Sequence, residues 1–155
     1  EDTEAMLHRF SAEHEVLRDR LSVLRDTAQL LAEGDLVAAH AALRRVDTFL
    51  FGTLLPHERA EDSELYPALA EPLGSGEATA TMSRMHTEID RLSHRLRAQL
   101  TQADAAGGLH PDQCEELLAD LYGLSALLRL HFVQEEENYF TLAPETDSAA
   151  DLDRR

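Results

Sequence analysis

The chain has 155 residues, enough for one domain with a real core, and carries 30 acidic against 14 basic side chains for a formal charge of −16. That balance argues against nucleic acid and anionic membranes as partners, since both require a basic surface. No run approaches the ~18 consecutive apolar residues of a membrane span, and no basic segment precedes an apolar one as a secretory signal would require.

One cysteine, Cys114, cannot form an internal disulfide, which suits a reducing cytoplasm. The first residue is Glu1 rather than methionine, so the chain reads as processed or as a domain cut from something longer, with a fused or partner domain elsewhere.

Apolar residues recur at steps of three and four along a first helix through Leu7, Phe10, Leu17, Leu21, Leu24, Ala28 and Leu31, interrupted at His14. Gly34-Asp35 is a stop followed by a start. A second helix is predicted over 36–69, with Leu43, Val46, Leu50 and Leu54 inside. Pro56 lacks an N–H and crowds the carbonyl four residues back, that of Gly52, so a weakening or kink is expected there. The stretch from Pro72 to Gly76 is a loop by composition.

A third helix carries Met82, Ile89, Leu92, Leu96 and Leu100 and ends before Gly107-Gly108. Pro111 fits the first turn of a fourth, whose inner face holds Leu117, Leu121, Leu124 and Leu128. The fold class is therefore all-α, an antiparallel up-down-up-down four-helix bundle over residues 1–143. Residues 144–155 form a polar tail expected to be flexible.

One histidine interrupts the apolar stripe of each helix: His14, His57, His86 and His131. Two have glutamate four residues later, Glu61 and Glu135, on the same helix face. Counting from each turn at 1.5 Å per residue puts all four histidines in one layer, ~30 Å from the Gly34 and Gly107 end. A single core histidine is usually satisfied by a local hydrogen bond. Four at one height with two carboxylates are not, because each unpaired buried carboxylate costs several kcal/mol.

Metal ions relieve that cost. Six donors exceed the four of a tetrahedral zinc site, and mixed imidazole and carboxylate ligation suits iron or manganese in a two-ion centre. The natural division gives His14 and His57 to one ion and His86 and His131 to the other, with Glu61 and Glu135 bridging. Open coordination positions would remain for a small molecule.

At "AEHEVLRDRL", "HERAEDSELYPAL", "RMHTEIDRL" and "LHFVQEEENYF" the sequence resembles the hemerythrin-like, or HHE cation-binding, family across about residues 5–143. The resemblance implies a four-helix bundle around a non-haem di-iron centre (Fe2+/Fe3+), carboxylate-bridged and oxo- or hydroxo-bridged when oxidised, with manganese and zinc ranking below iron. Its matching histidines are terminal ligands and its two glutamates bridge.

The chain departs from the oxygen carriers, which have His-x3-His on the third helix where Asp90 stands here, and His-x4-Asp on the fourth. It is closer to a di-iron protein of iron–sulfur cluster repair after nitric oxide stress. It is also closer to the iron- and oxygen-sensing domain of an F-box ubiquitin-ligase subunit, in which a glutamate matching Glu58 also binds iron. Glu58 thus joins the candidate metal ligands. Asp90 is read as a weaker candidate for ligation or for support of a histidine.

The implied function is dioxygen binding, or sensing of oxygen or iron. The alternative is a di-iron enzyme or repair protein acting on peroxide or nitric oxide, or donating iron to damaged iron–sulfur clusters; a metal-free interaction module ranks last. His8, His40, His94, His110 and Cys114 are read as surface or structural. Tyr139 is read as an interface tyrosine with an exposed hydroxyl in preference to a donor at the site.

Overall fold

The computed structural model describes residues 2–143, and all regular structure among them is helical. The first rod comprises α1 (Thr3–Arg20) and α2 (Ser22–Ala32). The second comprises α3 (Leu36–Phe49), α4 (Leu55–Ala60) and α5 (Tyr66–Leu69). The third is α6 (Glu77–Ala106), and the fourth is α7 (Cys114–Asn138). α2 packs on α3 and α7, and α6 packs on α3 and α7, so the four rods close into a ring. The expected tail from residue 144 lies outside the described residues.

The turns follow from capping chemistry. Asp2 and Asp35 accept hydrogen bonds from Ala5 N and Ala38 N, satisfying first-turn donors of α1 and α3. Gly107, at φ 80°, ends α6 in the left-handed region, and Gly108 N bonds back to Ala103 O. Pro111 stands in a 3-10 turn, Pro111–Gln113, that leads into α7. His110 and Gln113 cap that turn reciprocally, which gives His110 a structural role.

The rods differ from uniform α-helix in two places. At Leu21 the first rod tightens, with Leu21 N bonding Arg18 O and Leu24 N bonding Leu21 O. In the second rod, π-helical segments at Leu50–Leu54 and Glu61–Leu65 separate the α-helical pieces. Each lies just before a proline, Pro56 or Pro67. Pro56 is therefore accommodated by a widened turn containing Gly52, in which Leu55 N bonds to Leu50 O five residues back.

Every apolar position expected to face inward is buried. The core is nonetheless divided. A large cluster, including Leu24, Leu43, Leu96 and Leu124, fills the Gly34 and Gly107 end. A small one of Leu7, Phe10, Leu65, Tyr66, Leu69, Met82 and Tyr139 fills the other end. Each fully buried leucine contributes about 1.5–3 kcal/mol of transfer free energy, so the large cluster carries most of the stability. Between the clusters lies a layer of ionisable side chains.

Candidate metal centre

α1 contributes His14 to this layer, α4 His57 and Glu58, the second π segment Glu61, α6 His86, and α7 His131 and Glu135. All seven are buried, and His131, Glu61 and Glu135 have no exposure at all. Glu61, His86, His131 and Glu135 form the tightest group, each offering one ligand atom within 4.8 Å of the others.

Nε2 of His86 lies 2.9 Å from Nε2 of His131, and His131 Nε2 contacts Oε1 of Glu135. Oε1 of Glu61 is 3.4 Å from His57 Nε2 and 3.5 Å from His86 Nε2, so this carboxylate stands between two rods. The His14 ring lies 6.3 Å from that of His57, centroid to centroid.

Three of the four imidazoles have a carboxylate at the outer nitrogen. His57 Nδ1 is 3.0 Å from Glu13 Oε2, His86 Nδ1 is 3.0 Å from Asp62 Oδ2, and His14 Nδ1 is 3.3 Å from Glu136 Oε1. A carboxylate there favours the proton on Nδ1 and leaves the Nε2 lone pair facing inward, the arrangement that metal-ligating histidines adopt.

Inward-facing donor atoms are left unsatisfied. His14 Nε2, His57 Nε2, Glu135 Oε2 and both oxygens of Glu58 and Glu61 are buried and make no hydrogen bond. Buried orphans of this kind are costly, and here they converge. The donor set of imidazole nitrogen and carboxylate oxygen fits a divalent transition metal, and it contains no thiolate.

Electrostatics in the absence of metal point the same way. Burial lowers His14 to about 4, where the ring is neutral near pH 7, and also lowers His57. Burial raises Glu58 to about 8. For His86 burial acts downward, but the carboxylates of Glu135 and Glu61 beside it outweigh this and carry the ring to about 11. Burial and the charge of Glu135 hold Glu61 well above the usual carboxylate range. Glu135 is opposed by burial, yet its close neighbours Glu61, His131 and His86 hold it well below. Without a cation the layer thus favours an ionised Glu135 beside a charged His86 and disfavours ionisation of Glu58 and Glu61.

The structure also shows what the sequence pattern missed. Tyr66 is buried in the layer, its hydroxyl donating to Oε1 of Glu135 at 3.1 Å and lying 3.3 Å from His86 Nε2. It lies five residues after Glu61. In an α-helix that spacing turns the side chain roughly 140° away, whereas the π segment brings it round to the same side. The signal was Pro67, a second mid-helix proline that calls for an extra residue in the turn before it.

Glu13, Asp62 and Glu136 were also missed, each being the immediate sequence neighbour of a layer residue. Phe132 and Phe140 stand 4.2 and 5.0 Å from the His14 ring, and Phe10 stands 5.6 Å from that of His57, all centroid to centroid. With the buried Leu17, Leu54, Ile89 and Leu128 they give the layer apolar neighbours.

Two expectations are corrected or narrowed. The Tyr139 side chain is buried, and its hydroxyl donates to the Ala78 carbonyl at 2.8 Å, tying α7 to α6. Asp90 is half exposed, 3.3 Å from His94 Nδ1, so it lies outside the buried group. His40 pairs with Asp104 at 2.7 Å, and His94 is exposed. Cys114 is a free, partly buried thiol against the large core.

The family described as Hemerythrin HHE cation binding domain matches residues 5–143, which include all seven buried donors. The chain belongs to the hemerythrin HHE cation-binding family. Its function is thereby cation binding, and the convergent buried group of four is the place in this HHE domain fitted for it. No curated protein and no solved structure matches the chain. Among the described residues, no helix is long and apolar enough to cross a membrane.

Proposed function

We propose that this HHE domain holds two iron ions in the buried layer and binds dioxygen, or senses oxygen or iron, at coordination positions the protein leaves open. The observation that carries the reading is the convergence of unpaired Nε2 and carboxylate atoms between two apolar clusters. His86 and His131 would hold one ion and His14 and His57 the other. Glu61, between His57 and His86, and Glu135, with one oxygen unpaired, would bridge. Glu58, with both oxygens unpaired beside His57, would add a carboxylate to one ion.

Bound iron supplies redox chemistry toward dioxygen, peroxide or nitric oxide. The chain's own residues decide which of these is used. Glu13, Asp62 and Glu136 orient the imidazoles. Phe10, Phe132 and Phe140 limit water. Tyr66 holds a hydroxyl proton at Glu135, and this observation favours the second reading, an enzyme of peroxide or nitric oxide reduction that needs a proton inside a dry site.

Loading the protein with ferrous ion under nitrogen and then admitting air separates the two. Binding predicts an absorption change that reverses when oxygen is removed. The enzymatic reading predicts a one-way oxidation, with peroxide or nitric oxide consumed when a reductant is supplied. A spectrum indifferent to oxygen, peroxide and nitric oxide contradicts both.

A further inference from the structure

The layer is closed off by apolar residues on most sides, yet a cation has to reach it. One groove of about 230 Å³, between α4 and α6, has Leu55, Glu58, Asp62, His86, Thr87 and Asp90 in its walls. Asp90 and Asp62 in these walls are 51% and 40% exposed. Glu58 is 2% exposed, with neither carboxylate oxygen hydrogen-bonded. Beyond them, Asp62 touches His86 Nδ1, and Glu61 Oε1 is 3.5 Å from His86 Nε2. Carboxylates therefore run from solvent to the centre, and the innermost of the groove is a buried orphan.

A second groove, of about 400 Å³, reaches His57 from the other side. It differs in charge. Its wall holds one carboxylate, Glu13, engaged with His57, and Arg9, which pairs with Glu64 at 2.7 Å.

We infer that the groove between α4 and α6 is the entry path for divalent cations, with Asp90 as the outer capture site, Asp62 as a wall charge and Glu58 as the residue that hands the ion to the centre. This inference rests on the two-ion reading, but it concerns the rate of filling, whereas that reading concerns how much is held. Negative side chains lining a low-dielectric cleft concentrate cations and raise their entry rate. Arg59, also in the wall of this groove, tempers that field.

The test is anaerobic uptake of ferrous ion by the metal-free full chain, followed in time by competition with a chromophoric chelator. Asp90→Asn should load roughly three- to tenfold more slowly and Asp90→Arg more slowly still, with a rate that depends on ionic strength. Both should reach wild-type iron content, and Asp112→Arg, at an exposed carboxylate beside Pro111, should load normally. Wild-type uptake rates in both Asp90 variants would overturn the path while leaving the centre intact. Reduced final iron in Asp90→Asn would also overturn it, by making Asp90 part of the centre. Wild-type protein that takes up no ferrous ion would remove the two-ion reading and the path together.

Discussion

The hydroxyl of Tyr66 on the second rod donates to the Glu135 carboxylate on the fourth at 3.1 Å, inside the polar layer. The bond stabilises the ionised form of Glu135 in an apolar setting and fixes which way its second oxygen faces. Tyr66→Phe is expected to destabilise the metal-free protein by about 1–3 kcal/mol, the range for a hydrogen bond to a charged group. It is also expected to weaken metal retention by roughly 10–100-fold, as loss of a ligand's hydrogen-bonding partner does. Urea unfolding of the metal-free protein and chelator competition on the loaded one measure the two effects separately.

The outer carboxylates make a parallel case. Glu13→Ala and Asp62→Ala each remove the partner of a histidine Nδ1 while leaving every inward-facing donor in place. Each should retain full metal content under excess iron and lose about tenfold or more in affinity. Full affinity in both variants would make these contacts incidental surface pairings.

Ligands and bridges differ in what their removal costs. Glu61→Ala and Glu135→Ala should release both ions together, because a bridging carboxylate contacts each of them. His14→Ala, at one edge of the layer, should release mainly one. Elemental analysis of the three variants decides the matter, and equal single-ion losses would refute the bridging roles.

Stability should respond to pH in a direction that metal reverses. In the metal-free protein His86 and Glu58 have folded-state values raised to about 11 and about 8. The native state therefore binds more protons than the unfolded chain, from about pH 4.5 for Glu58 and about pH 6.5 for His86. Stability from these groups is present at lower pH and is lost as pH rises through 8 and toward 11. His14, lowered to about 4, acts oppositely and costs stability as pH falls from about 6.5 to 4.

The metal-free melting temperature should thus peak near pH 5 and decline above about pH 6. Loading with metal must expel the protons on His86 and Glu58, so the stabilisation by metal should grow over the same range. Circular dichroism melts with and without metal from pH 5 to 9 test this. The large core should keep the metal-free chain helical throughout.

Much of this arrangement was legible in the sequence, and the parts that were not share a cause. Leucine spacing located all four rods because burial follows the helical period. The layer was legible because histidines broke four apolar stripes at the same height. That reasoning assumed 3.6 residues per turn everywhere. The π segment Glu61–Leu65 violates it, so Tyr66 fell off the inferred inner face. Glu13, Asp62 and Glu136 were illegible for a different reason: a carboxylate on a solvent-side position looks the same whether or not a histidine from another rod reaches it. Tyr139 was misread because its partner is a backbone carbonyl on α6, which leaves no trace in residue types.

The central claim is that the convergent buried donors hold a two-ion iron centre. Elemental analysis of the full chain purified after iron-sufficient expression tests it most directly. The account predicts about two metal ions per chain, predominantly iron, as the arithmetic of imidazole and carboxylate donors requires. A chain free of metal, or one carrying a single zinc ion, would contradict it.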